Sequence, residues 1–234
     1  MIIPQPGDYI DVHTHGASSP VGIFSVENLM AHEERRPSDV PSMSCTFGIH
    51  PWYLTAENHL RLLDSVEEAA WQKNLIAVGE AGFDRLRGPS PELQRSIFES
   101  QAVIAEKSGK PVVVHCVRAW DELLNAHRKL KPEMPWLVHG FRGKKELAGQ
   151  LISRGMYISL WFDFVLRKES TELIRSLPVE KLFLETDGSD ADIRTIYGKV
   201  ANDLSLTVAA LKERILANFM TFFRGSAIIL QDHE

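Results

Sequence analysis

The chain has 234 residues, 44% of them hydrophobic and 24% charged, the make-up of an ordered globular protein rather than a disordered or fibrous one. A formal net charge of −5 excludes a grip on polyanions through the global field. No apolar run reaches eighteen residues, and the N-terminal stretch lacks a basic start followed by an apolar core, so a cytoplasmic location without a membrane anchor is expected. Cys45 and Cys116 are too few for a disulfide framework and are expected to be reduced, buried and without a catalytic role. A single domain over residues 1–234 is the default, because one α/β barrel typically has about 250 residues.

In chain order, short β-like runs fall at 9–13, 21–24, 43–50, 75–80, 111–116, 136–140, 156–161 and 181–186. Several are nearly continuous apolar segments, as parallel strands covered by helices should be. Between them lie stretches with helical spacing, such as 91–109, which stops at a glycine, and a final helix is expected over 202–223. This alternation predicts an α/β fold, a TIM-type (β/α) barrel or a doubly wound sheet. One connection departs from the pattern. Five residues, GASSP, separate the first two runs, whereas a parallel crossover needs roughly a dozen. Either 21–24 is not a regular parallel neighbour of the first strand, or a barrel lacks its first helix there.

Asp11-Val12-His13-Thr14-His15 carries the sharpest chemical signal. Alternate residues of a strand share a face, so both imidazoles, with Asp11 as a further candidate, can converge on one ion. Two histidines that merely cap a strand are the plain alternative. Glu80, His115, His139 and Asp187 each stand at the C-terminal end of a different apolar run, where barrels collect their catalytic groups. Four imidazoles and two carboxylates aimed at one end of a barrel suit zinc, manganese or similar ions. His50 closes another run and is a candidate substrate contact, while His32, His59, His127 and His233 read as solvent-facing.

The ordered segments DVHTH (11–15), GIHP (48–51), GEAGFD (79–84), KPVVVHC (110–116), VHGF (138–141), YIS (157–159), LETD (184–187) and Asn218-Phe219 cover most of the chain. Together they resemble the TatD-type metal-dependent hydrolases of the amidohydrolase-like barrel superfamily. The resemblance implies a TIM-type barrel, shortened or irregular around its first and second strands. It also implies one or two divalent ions (Zn, Mn, Mg or similar) held by His13, His15, Glu80, His115, His139 and Asp187. In the family pattern His13, His15, Glu80 and Asp187 serve one ion, and a shared Glu80 with His115 and His139 serves the other. Glu80 and Asp187 then carry the catalytic roles, Asp187 taking the proton from the attacking water. The implied activity is phosphodiester hydrolysis of single-stranded DNA ends or small phosphate esters, with no obligate protein partner indicated.

Two segments depart from the family. Val117 stands where an Arg usually opens an Arg-Asp-Ala stretch, and Gly188-Ser189-Asp190-Ala191-Asp192 replaces the usual Ser-Pro-Tyr and long substrate-holding loop. Substrate contacts then fall to rim residues His50, Arg118, Arg142 and Trp161, the last offering a face on which a base can stack. An amidohydrolase acting on an amide or lactone is the rival enzyme, and a metal-binding protein without turnover the rival outside catalysis. Amidohydrolases often bridge their metals with a carboxylated lysine, but Lys110 and Lys181 fall at strand starts.

Overall fold

The computed structural model describes residues 3–16 and 20–224. In chain order its elements are β1 (Tyr9–Thr14), β2 (Ile23–Met30), β3 (Cys45–Gly48), α1 (His59–Ala69), β4 (Leu75–Asp84), α2 (Pro91–Lys107), β5 (Val112–Val117) and α3 (Trp120–Leu130). There follow β6 (Trp136–Phe141), α4 (Lys145–Ile152), β7 (Tyr157–Leu160), α5 (Phe162–Val165), α6 (Ser170–Ser176), β8 (Leu182–Leu184), α7 (Ile193–Asp203) and α8 (Val208–Phe222). The strands occur in one eight-stranded sheet in the order β1 to β8, the strand order of a TIM-type (β/α) barrel. β1 pairs with β2, β3 with β4, β4 with β5 and β7 with β8, each pair parallel.

Where the barrel was expected to be irregular, it is. β2 is a parallel neighbour of β1, with a register shift between Asp11 and Thr14, and no helix lies among the described residues of their connection. The strand runs Ile23–Met30 instead of 21–24 and carries Ser25, Glu27 and Asn28 buried among apolar residues, polar positions that hid it from an apolar-run search. Only a short 3₁₀ turn, Pro37–Asp39, precedes β3. The expected final helix, 202–223, is α8, and it starts later, at Val208: Ser205 takes a left-handed φ of 56°, Leu206 N–H donates to Ala201 O (2.8 Å) to close α7, and the Thr207 hydroxyl accepts from Ala210 N–H to start α8.

The chain divides into two compact units, one built mainly of Asn28–Leu137, the other of Ile3–Glu27 and Val138–Phe222. In the first, α2 starts where expected because Ser90 accepts from Leu93 N–H and Pro91 presets the first turn. Its Phe98 packs between Phe83 of β4 (4.7 Å) and Trp136 of β6 (5.1 Å). In the second, the buried Tyr197 hydroxyl accepts from Ile10 N–H and donates to Ile10 O, fastening α7 to β1. Asn218 of α8 donates to the carbonyls of Val179 and Leu182, and Phe219 meets Phe24, so the Asn-Phe pair is structural cement under β8.

Candidate metal centre

In the second unit, β1 turns His13 and His15 to one side, their rings edge to face at 5.3 Å. Asp187, just beyond β8, places Oδ1 3.6 Å from Nε2 of both. Its own N–H donates to His13 O (3.1 Å), so the carboxylate is registered on β1 by the backbone. That turn takes Asp187 to φ 52° and Gly188 to φ +70°; a Cβ on Gly188 would stand 2.9 Å from the His15 Cβ, so only glycine fits there. The His139 ring lies 4.3 Å from that of His13, tilted by 33°, and has Glu185 behind it, Oε1 lying 3.6 Å from Nδ1. Glu185 is wholly buried and is fixed through its other oxygen by the Ser159 hydroxyl (2.5 Å).

Asp11 does not join the imidazoles. Its two oxygens accept the Thr186 N–H (3.0 Å) and hydroxyl (2.6 Å), tying β1 to the segment after β8. Burial raises its pKa to about 7 despite those bonds.

In the first unit, β4 and β5 run unusually close, because a Cβ on Gly82 would lie 1.9 Å from His115 O. The closeness brings Glu80 Oε1 to 2.6 Å from His115 Nδ1. Asn28 holds Glu80 from the other side: its amide accepts from Glu80 N–H (3.0 Å) and from the Thr46 hydroxyl (2.7 Å) and donates to Glu80 Oε2 (3.4 Å). His50 Nε2 completes the group, 3.1 Å from Glu80 Oε1 and 3.3 Å from His115 Nδ1. Beyond His115, Asp84 Oδ2 faces Nε2 at 3.3 Å and accepts the Trp52 indole N–H at 2.6 Å. Burial pushes the Asp84 pKa up, but the bonds from His115, Trp52 and Leu86 N–H prevail and hold it near 2.

Both groups fit a divalent ion. His13, His15 and Asp187 have donor atoms within 4.8 Å of one another, and so do His50, Glu80 and His115. Nitrogen and carboxylate donors together suit zinc or manganese, and carboxylates behind ring nitrogens, Glu185 for His139 and Asp84 for His115, are the outer partners that metal-binding imidazoles need. Asp84, Asn28 and Glu185 were missed in the sequence, although Asp84 closes GEAGFD and Glu185 sits inside LETD.

Of the rim residues, Arg142 lies 3.8 Å over the half-buried Trp161 ring, while Arg118 is exposed at φ 52° and joins neither donor group. Lys110 donates to Leu75 O (2.5 Å) and Lys181 lies over the Tyr157 ring, so neither reaches an imidazole. His32 and His127 are not solvent-facing as expected: they are half-buried, His32 stacked on Tyr53 (3.7 Å) and His127 edge-on to Trp136. His59 is also half-buried, and His233 lies outside the described residues. Cys45 and Cys116 are not joined in a disulfide; Cys45 is buried and Cys116 partly so.

A family model described as TatD related DNase matches residues 22–224. The chain belongs to this family. A 3'-5' ssDNA/RNA exonuclease TatD of Citrobacter koseri is 30% identical over 189 residues, 77% of this chain and 72% of that protein. A deoxyribonuclease Tat-D of Schizosaccharomyces pombe is 27% identical over 162 residues, 64% of this chain and 52% of its own length. The chain spans about half the length of several curated relatives it matches. The crystal structure of YjjV, a TatD homolog from Escherichia coli k12, superposes with a TM-score of 0.79 over 94% of this chain and 99% of that one at 20% identity, which establishes the shared fold. No helix among the described residues of this TatD-family chain is long and apolar enough to cross a membrane.

Proposed function

We propose that this TatD-family chain is a divalent-metal-dependent phosphodiesterase that acts on single-stranded DNA ends or small phosphate esters. The observation that carries the reading is that each unit holds a compact imidazole–carboxylate group, His13, His15 and Asp187 in one and His50, Glu80 and His115 in the other, with a further carboxylate behind a ring of the site, Glu185 behind His139 and Asp84 behind His115. His13, His15, His139 and Asp187 would hold metal in one unit, and Glu80 with His115 in the other. A divalent ion held there would supply Lewis acidity toward water and a phosphoryl oxygen. Asp187, partly exposed beside two imidazoles, is the carboxylate that receives the proton of the attacking water, and Glu80 is the fixed buried anion that keeps His115 in place. Zinc, manganese or magnesium meets the mixed donor set. Arg142 and Trp161 offer a cation and a stacking face to a nucleotide.

The test pairs metal analysis of the purified protein with hydrolysis of a generic phosphodiester and of a 3'-labelled single-stranded oligonucleotide. Chelation should abolish both activities and added Mn²⁺, Zn²⁺, Co²⁺ or Mg²⁺ restore them. Full turnover by stripped protein would refute the reading, and cleavage of an amide or lactone without any phosphodiester would replace it.

A further inference from the structure

His50 is one of three side chains whose donor atoms could hold metal in the first unit, yet its surroundings fix it in another role. It is 3% exposed and caps the short 3₁₀ turn Pro51–Tyr53. In that cap its Nδ1 accepts the backbone N–H of Trp52 at 3.1 Å. A peptide N–H is only ever a donor, so Nδ1 carries a lone pair and the one proton of the neutral ring is on Nε2.

Nε2 faces the Glu80 Oε1 acceptor at 3.1 Å, as an N–H should, with His115 Nδ1 beside it at 3.3 Å. To ligate a cation through Nε2 the ring would have to move its proton to Nδ1, bringing two N–H groups head to head across 3.1 Å. His115 differs. Its nitrogens face two carboxylates, Asp84 at 3.3 Å from Nε2 and Glu80 at 2.6 Å from Nδ1, so a ring that donates its Nε2–H to Asp84 turns the Nδ1 lone pair toward a cation beside Glu80. The cap that sets the tautomer is itself well anchored. Trp52 is pinned by its indole bond to Asp84, and Ile49, one residue before His50, donates its N–H to Gln101 Oε1 (2.7 Å).

We propose that His50 is not a metal ligand but a fixed hydrogen-bond donor, its Nε2–H presented to a non-bridging oxygen of a phosphoryl group bound beside Glu80 and His115. This rests on the phosphodiesterase reading for the identity of the substrate. A neutral donor held by the backbone suits that role, because it binds an anionic oxygen, strengthens as charge gathers there in the transition state, and places no second cation beside the metal.

The experiment uses metal-loaded full-length protein, with inorganic phosphate as the probe. His50→Asn keeps a side-chain oxygen to cap Trp52 N–H but withdraws the Nε2 donor, and His50→Gln returns an N–H near the Nε2 position. His50→Asp and His50→Cys offer a ligating atom in its place. Metal equivalents are counted by elemental analysis and phosphate affinity by calorimetry, with kcat and KM on a small phosphodiester. His50→Asn is expected to keep the wild-type metal count, to bind phosphate about tenfold or more weakly and to lose kcat, with His50→Gln recovering part of both losses. Loss of one metal equivalent in His50→Asn, restored by His50→Asp or His50→Cys but not by His50→Gln, would make His50 a ligand and overturn the proposal. Unchanged phosphate affinity in His50→Asn would overturn it too. Should the wild type bind metal and phosphate but cleave no phosphodiester, the phosphodiesterase reading fails while the phosphate data still decide the role of His50.

Discussion

The carboxylate of Asp84 stands 3.3 Å from Nε2 of His115, while the other nitrogen of that ring faces Glu80 at 2.6 Å. An imidazole held between two carboxylates in this way has its orientation fixed before any ion arrives. Asp84→Asn keeps the shape and an acceptor oxygen but removes the charge. It should lower metal affinity at the Glu80–His115 group by ~10-fold, the low end of the range for outer carboxylates, with the fold unchanged. Competition against a chromogenic chelator measures it. Unaltered affinity would confine Asp84 to holding Trp52 and the Leu86–Arg87 turn.

The turn that carries Asp187 gives a second prediction. Gly188→Ala places a methyl 2.9 Å from the His15 Cβ at a φ of +70°. A left-handed Gly→Ala change costs about 1 kcal/mol before any clash, and here the clash falls on a candidate ligand. The variant should lose thermal stability and shift Asp187 away from His13 and His15, so turnover should fall by more than the stability loss alone explains. Gly149→Ala is the control: it lies in α4 with nothing within 4 Å of the added methyl and should be neutral or stabilising. Normal turnover in Gly188→Ala would show that the Asp187 turn tolerates repositioning.

These two positions show what the sequence could and could not reveal. The six candidate ligands can be picked out because each stands at or just beyond the end of a strand-like run, a pattern that one dimension preserves. Asp84, Asn28 and Glu185 were not, since their meaning lies in which ring or amide they face across strands. Asn28 supports Glu80 from fifty-two residues away, on a strand whose polar core positions concealed its length. Likewise Asp11 shares the β1 alternation with His13 but is taken by Thr186, 175 residues on, a competition that periodicity cannot register. The later start of the last helix depends on one left-handed residue, Ser205, in the stretch 202–223, whose apolar spacing runs on without a glycine or proline.

Lys110 supplies a prediction about stability. It is buried two residues before β5, donates to Leu75 O, and has its pKa lowered by burial from 10.5 to about 8. Between those values the unfolded chain binds more protons than the folded one, so the contribution of Lys110 to stability rises with pH through that window. Below pH 8 the amine is charged in both states and its burial cost is felt in full, about 3 kcal/mol relative to high pH. Lys110→Met should therefore be more stable than wild type near pH 7, with an advantage that shrinks as pH rises from 8 to 10.5. Urea unfolding at a series of pH values tests it. A difference that stays constant with pH would show that the amine remains hydrated in the folded state.

The last prediction concerns substrate size. A cavity of about 360 Å³ lies beside His15 and is lined by Thr14, Ser189, Asp190, Asp192 and Arg194, so acidic groups occupy the segment where the family pattern carries a longer substrate-holding loop. With a net charge of −5 the chain has little to offer a row of phosphates, and each phosphate contact a protein does make adds ~0.7 to the salt slope for a single strand and ~0.9 for a duplex. Short single-stranded oligonucleotides and small phosphodiesters should thus be cleaved with a slope of magnitude below ~2, and long duplexes poorly. Asp190→Asn should lower KM for an oligonucleotide more than for a single phosphodiester, because only the longer substrate brings further phosphates past the exposed Asp190 carboxylate. Asp192 is the worse choice for this test, since it caps α7 through Arg194 N–H. Equal rates on long duplexes with a steep salt slope, or an Asp190→Asn effect identical for both substrates, would mean that the nucleic acid takes a path that avoids this loop.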